Sequence, residues 1–274
     1  MGSASNDELR AEVSRDRRGP WFLFRKPTGF EWTRVRVPVP GLAAELSGFR
    51  FIHLSDLHVR GTWFRAYDEL VERVERARVD LLLITGDFVD DKTDHRIGLP
   101  SLRRMLPRLK ARLGVYGILG NHDGDLLAPY LGELGVKLID GRRAVLESGG
   151  GAKLELVGLP GLARRDLDAQ FIASIPPKEA GTLRVVMSHY PDHFRRVRPL
   201  RADVFLAGHS HGGQCCLPGG RALLTHDRMP KRLCKGVHRL EESWYVVSRG
   251  FGFAGVPVRV NCPPEVAEIE VVSA

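Results

Sequence analysis

Phe51-Ile52-His53-Leu54-Ser55-Asp56-Leu57-His58 sets an apolar run directly before an Asp-x-His triplet, and the chain repeats that order four more times. Leu81 to Ile84 runs into Gly86-Asp87, and Val115 to Leu119 into Gly120-Asn121-His122-Asp123. Leu183 to Met187 runs into Ser188-His189, and Val204 to Ala207 into Gly208-His209-Ser210-His211. Apolar runs of this length read as short buried strands. Ligands of open α/β sheets gather beyond the carboxyl ends of the strands, so five polar clusters far apart in sequence are expected to meet in one crevice.

Around these runs the pattern is that of an α/β protein. Tyr67, Leu70, Val71 and Val74 fall at helical spacing after the first run, and Leu102, Met105, Leu106 and Leu109 do so behind Pro100. The alternation from residue 50 onward predicts βαβαβ with a mostly parallel sheet. Beyond residue 135 the segments shorten. Lys153 to Val157, Leu183 to Met187, Val204 to Ala207, Ala222 to Leu224, Trp244 to Val247 and Val266 to Val272 read as strands, which predicts a second sheet. Gly149-Gly150-Gly151 joins two such strands with no Lys-Ser or Lys-Thr after it, so it is a turn and not a phosphate loop.

The chain has 274 residues, 43% of them hydrophobic and 27% charged, enough to bury the core of one large domain. Residues 1–20 are charged and lack apolar periodicity, so a flexible N-terminal arm is expected there and the folded domain over 21–274. Trp21, Phe22, Phe24, Phe30 and Trp32 then interleave with Arg25, Lys26, Arg34 and Arg36. Two readings stand: a first edge strand whose aromatics close the core, or a face for anionic lipid. No stretch approaches the roughly 18 apolar residues of a spanning helix. The four cysteines show neither a CxxC pair nor a disulfide framework, which fits a reducing compartment. A cytoplasmic protein is expected, with peripheral contact at an inner membrane as the further expectation. A formal charge of +8 suits an anionic partner but does not choose among nucleotide, nucleic acid and acidic lipid.

A dinuclear metal site needs a carboxylate that can bridge two cations, with neutral nitrogen and oxygen donors to fill both shells. Asp56 and His58 sit two apart, so in extended chain both side chains leave one face and grip one ion. Asp87 is the natural bridge, Asn121 offers a neutral oxygen, and His209 and His211 repeat the two-apart spacing. His189 completes the set of seven. The histidines at 53, 95, 193, 226 and 238 have no such context and read as ordinary polar residues.

Over residues 50 to 272 the sequence resembles the calcineurin-like metallophosphoesterases. Their series, DxH, GDxxD, GNH followed by an acid, a lone His and GHxH, is matched by Asp56 to His58, Gly86 to Asp90, Gly120 to Asp123, His189 and Gly208 to His211. The resemblance implies two mixed β-sheets packed as a sandwich and flanked by helices, a four-layer α/β fold. It implies two divalent transition metal ions, manganese first among manganese, iron, zinc and nickel. One is implied at Asp56, His58, Asp87 and His211, the other at Asp87, Asn121, His189 and His209. His122 is implied to be the catalytic residue, stabilising phosphate oxygens or protonating the leaving oxygen while water activated by the metals attacks phosphorus in line. Asp90 and Asp123 would orient imidazoles and backbone around them.

Residues 208–214, 248–252 and 257–265 resemble a bacterial branch that includes membrane-associated phosphodiesterases and an enzyme hydrolysing UDP-2,3-diacylglucosamine. That resemblance implies a phosphodiesterase or pyrophosphohydrolase acting on a phosphorylated small molecule or a lipid-linked nucleotide, with that lipid A precursor the best single substrate. Glycines around 250–255 would let a loop approach the metals, with Arg249 and Arg259 free to meet a second phosphate. A general or cyclic-nucleotide phosphodiesterase and a nuclease are the alternatives, and nucleic acid is not an expected partner because no recognition module is visible. A non-catalytic scaffold is disfavoured by the complete ligand set. The oligomeric state is not legible.

Overall fold

Each of the five apolar runs is a buried strand that stops at its polar cluster. The computed structural model describes residues 9–16, 18–148, 150–161, 165–225 and 228–274. Among these, the first strands are β1 (Glu12–Arg15), β2 (Phe22–Phe24), β3 (Glu31–Val39), β4 (Phe49–Leu54), β5 (Leu81–Thr85), β6 (Val115–Ile118) and β7 (Val136–Leu138). There follow β8 (Arg142–Glu147), β9 (Lys153–Gly158), β10 (Leu183–Met187), β11 (Val204–Ala207), β12 (Gly236–Leu240), β13 (Ser243–Val247), β14 (Val258–Val260) and β15 (Glu265–Ser273). One sheet runs β1-β3-β15-β4-β5-β6-β7 and a second β12-β13-β11-β10-β9-β8, while β14 and β2 pair alone. β4 to β7 are parallel, as are β9, β10, β11 and β13, and antiparallel strands border both groups.

Side-chain alternation decides the layers. Phe51, Leu81 and Leu83 point into a core shared with Leu156, Val185, Leu206 and Trp244 of the second sheet, so the two sheets pack face to face. Ile52, Leu54, Leu82 and Ile84 point the other way, under α1 (Arg65–Ala77) and α2 (Leu99–Met105), with Leu127 and Leu131 of α3 (Gly124–Glu133). Val186, Phe205 and Tyr245 face a third core, which receives Ile172 of α4 (Arg165–Ser174) and Phe194 and Val197 of α5 (Phe194–Val197). The order is therefore helix, sheet, sheet, helix. α1 buries Tyr67, Leu70, Val71 and Val74, the stripe its spacing predicts, and ends on Arg78 in the left-handed conformation. No helix among the described residues is long and apolar enough to cross a membrane.

Three local expectations need correction. The described part of the N-terminal arm is not free, since Glu12 to Arg15 add to the open edge of β3, with Arg36 near Glu12 and Arg34 bonded to Asp16. An unpaired strand edge offers backbone groups that an otherwise featureless segment can use. Residues 1–8 lie outside the described residues, as does His226. Ala222 to Leu224 form no strand, only a bridge from Ala222 to Cys216. The aromatic stretch divides: Phe30 and Trp32 enter the core under α1, whereas Trp21, Phe22 and Phe24 stay exposed.

Candidate metal centre

The loops after β4, β5, β6, β10 and β11 all open at one end of the sandwich. They are tied together beyond the strands themselves. The N–H groups of Asp56 and His58 donate to the carbonyls of Gly86 and Asp87, and Gly208 donates to the His189 carbonyl. Expected as extended chain, Asp56 and His58 instead have φ values of 51° and 42°. Asp87, His209 and His211 are left-handed too, at 56°, 62° and 49°. Such backbone costs roughly 1 kcal/mol or more per non-glycine residue and persists where the surroundings enforce it, commonly at functional sites. Here the ligand pairs meet through left-handed turns and not along one face of an extended chain.

Close approach sets the glycines. A Cβ on Gly208 would stand 1.8 Å from Ser55 Oγ and 2.3 Å from Asp56 Oδ2, and one on Gly120 would stand 2.2 Å from Asp87 Oδ1. The Gly250 to Gly252 loop does approach the site as expected: a Cβ on Gly252 would meet Leu57 O at 2.3 Å and His58 Cβ at 2.7 Å.

All seven expected ligands converge. Asp87 Oδ2 lies 3.4 Å from His58 Nε2 on one side and 3.3 Å from His189 Nε2 on the other, while its Oδ1 accepts the His122 N–H at 2.8 Å. His211 Nε2 is 3.3 Å from Asp56 Oδ1 and 3.1 Å from His58 Nε2. Asn121 Oδ1 and His209 Nδ1 stand 3.0 and 3.2 Å from His189 Nε2. Asp56 itself accepts the His209 N–H at 3.0 Å. Asp56, His58 and His211 form one group able to hold a metal ion, Asp56, Asp87 and His189 another, and His58, Asp90 and His122 a third.

The surrounding groups fix ring orientation. His189 Nδ1 donates to Thr85 O at 2.8 Å, leaving Nε2 as the ring's donor atom. His122 Nδ1 likewise donates to Asp90 O at 2.6 Å, so its Nε2 is the nitrogen left over. The Asp90 carboxylate lies 3.4 Å from His58 Nδ1 and 2.9 Å from Arg60 Nε. Asp123 accepts N–H bonds from Asp87, Phe88 and Gly120, locking the Gly-Asp loop to the Gly-Asn loop.

Burial and mutual charge set the protonation of these groups. Burial favours the neutral acid at Asp56, yet His211, His189 and His58 hold it well below the usual carboxylate range. Burial works to lower the His189 pKa, and the adjacent Asp87 charge outweighs it, raising the group to about 9. His209 is pushed down to about 3 by burial and by His189. His211 falls to about 4 through burial, with His58 and the Arg259 guanidinium adding to the effect. Two buried carboxylates, an amide oxygen and imidazoles whose ring nitrogens face one another at hydrogen-bond distance fit divalent cations, which would neutralise the first and occupy the lone pairs of the last.

Arg249 and Arg259 do not stand free. Arg249 is buried between Glu31 and Glu265, at 2.7 and 2.8 Å, and Arg259 donates to the carbonyls of Arg249, Gly252 and Cys262. Both hold the Gly250 loop in place, where a substrate contact was expected. Phe251 packs on Phe30 at 5.2 Å in the core. Of the remaining histidines, His53 bonds Thr85, His193 faces Ser188 and His238 faces Lys235 O, all ordinary partners. One neighbour escaped the sequence reading: Tyr190, whose ring lies 5.1 Å from His189 and 4.6 Å from His209. Its position next to His189 was the available signal.

A family model described as calcineurin-like phosphoesterase matches residues 49–213. The metallophosphoesterase YkoQ of Bacillus subtilis is 28% identical over 226 residues, covering 78% of this chain and 80% of its own. The phosphodiesterase YaeI of Escherichia coli is 28% identical over 258 residues, covering 90% of each. Among solved structures, a dimetal phosphatase from Danio rerio is similar at 13% identity and a TM-score of 0.41, covering 74% of this chain and 88% of that one.

Proposed function

Because the chain belongs to the calcineurin-like phosphoesterase family, we propose that it is a hydrolase of phosphodiesters working with two divalent ions, manganese first among the candidates. The observation that carries this reading is the single Asp87 oxygen set between His58 and His189, the position a bridging carboxylate needs. Asp56, His58, Asp87 and His211 would hold one ion, and Asp87, Asn121, His189 and His209 the other. When bound, such a pair supplies an activated water and withdraws charge from phosphate oxygens.

The chain's own part is proton handling and positioning. His122 is half-buried, and burial lowers its pKa, so the free ring favours the neutral form. An anionic phosphoryl group against Nε2 reverses that preference by its charge. The proton then passes from Nε2 to the leaving oxygen as the P–O bond breaks, while Nδ1 stays bonded to Asp90 O.

A diester is favoured by the name of the Escherichia coli relative. UDP-2,3-diacylglucosamine is the narrower candidate. Its second phosphate would call for further cations, and the two arginines expected to meet it are committed elsewhere. The test screens metal-reconstituted protein against a phosphomonoester, a chromogenic phosphodiester and a nucleotide-sugar diphosphate. The diester should be turned over fastest, and His122→Ala should keep both metals while losing on the order of a hundredfold in kcat. Turnover of the monoester alone, or full activity with one ion bound, overturns the proposal.

A further inference from the structure

The ribbon of β2 and β14 is continued on its far side by Cys215, bridged to Val260, and then by Ala222 and Leu223, joined to Cys216 and Cys215. Register assigns its faces. Leu23 opposes Arg259 and both are buried, whereas Phe22 opposes Val260 and Phe24 opposes Val258 on the other side. Nothing among the described residues covers that outer side: Trp21 is 70% exposed, and Phe22 and Phe24 are 49% and 50%. Along the same ribbon Val256 is 66% and Leu224 72% exposed. Solitary exposed apolar residues are ordinary, but a cluster rimmed by polar groups marks an interaction surface.

The rim has one sign. The described residues 18–30, 214–225 and 228–232 together hold seven Lys or Arg and no acidic residue. Arg25 lies over the Phe24 ring at 5.0 Å, and Arg25, Lys26, Arg221 and Arg232 have no ion-pair partner among the described residues. We infer that this ribbon docks on an anionic lipid bilayer, with aromatic and aliphatic tips at the headgroup boundary and the cations against lipid phosphate. A second copy of the chain fits less well, since a two-fold contact would set the two basic rims against each other. Peptides are disfavoured by the breadth of the face, spread over several short segments in place of a groove.

The same ribbon reaches the candidate metal centre. Gln214, three residues past His211, donates to the carbonyls of Ala254 and Val256, and Gly250 packs on Asp56. A docked ribbon thus brings the site's rim to the lipid surface. The inference concerns where the chain works and stands whether or not the proposed reaction is right.

The test is flotation of the full chain with vesicles of phosphatidylcholine alone and of phosphatidylcholine mixed in equal parts with phosphatidylglycerol. Binding is expected to the anionic vesicles and not to the neutral ones, and it should fall with added salt. A Trp21→Ser, Phe24→Ser, Leu224→Ser variant should lose on the order of tenfold in partitioning. An Arg25→Glu, Lys26→Glu, Arg232→Glu variant should lose at least about as much. Both should keep the wild-type melting temperature and the wild-type rate on a small soluble substrate, which separates docking from folding. The inference is overturned if wild type ignores both vesicles, if either variant floats as well as wild type, or if wild type is a dimer that the apolar variant converts to a monomer without any vesicle binding.

Discussion

The candidate metal centre and the Arg249 cluster are neighbours built from buried charge, and they balance it differently. Around Arg249 the accounts close within the chain: Glu31 and Glu265 flank the guanidinium, Thr33 donates to Glu265, and Glu265 is held down to about 2 against the burial that would raise it. In the metal centre Asp56 and Asp87 have no lysine or arginine partner among the described residues, and His58 Nε2 faces His211 Nε2 at 3.1 Å. Burial of charge is costly wherever it occurs. Where the protein offers its own counter-charge the result is a buttress; where it leaves donors facing donors, the missing partner comes from solution. Every perturbation below tests that division.

The largest effect is expected from Asp87→Asn. It keeps size and one acceptor oxygen but removes the charge shared between His58 and His189. Both ions should be lost on gel filtration, as read by elemental analysis, and activity should fall to background. Retention of one tightly held ion with activity would show that Asp87 belongs to a single shell, and the symmetry of the comparison would fail.

Arg249→Met attacks the other region. Removing one partner of a buried pair leaves Glu31 and Glu265 unbalanced, and about 3–5 kcal/mol of stability should disappear in denaturant unfolding. The pH dependence gives a second readout. Because the folded pKa of Glu265 is depressed to about 2, its contribution is full above the ordinary carboxylate value near 4.5 and drains away as pH falls from there toward 2. The wild type should lose stability across that window, and the variant should lose much less. Metal content at neutral pH should be retained by whatever fraction stays folded. A variant as stable as wild type would mean that Arg249 is not the structural counter-charge described here.

This contrast also explains what the sequence could and could not disclose. The candidate metal ligands were legible because each lies within a few residues of a strand end, and strand direction carries them to one rim. The two sheets and the α1 stripe were legible for the same local reason. The Arg249 cluster was not, since Glu31 is 218 residues away and comes alongside only through the β3 and β15 pairing. Left-handed backbone at Asp56 and His58 was invisible as well, for nothing in Asp-x-His excludes an extended chain. Cys216, Cys234 and Cys262 read as scattered yet meet in one small buried cluster, another product of long-range pairing. Trp21 and Trp32 share composition and separate only by which side of the fold each strand presents.

The smallest and sharpest test lies at the border between the two kinds of site. The Asp90 carboxylate is part of the fold by its pairing with Arg60, and part of the metal centre through its 3.4 Å approach to His58 Nδ1. Its charge makes the His58 ring a better donor and holds its orientation. Asp90→Asn preserves shape and an acceptor oxygen while deleting that charge, so affinity for the ion assigned to His58 should fall about tenfold, with the other ion unaffected. Competition titration with a chelator of known affinity resolves the two steps. His122 rests on the Asp90 backbone carbonyl and not on its carboxylate, so kcat at saturating metal should not change. If kcat fell instead while both affinities held, Asp90 would act on the proton of His122, and the line drawn between holding metal and moving protons would have to run through this residue.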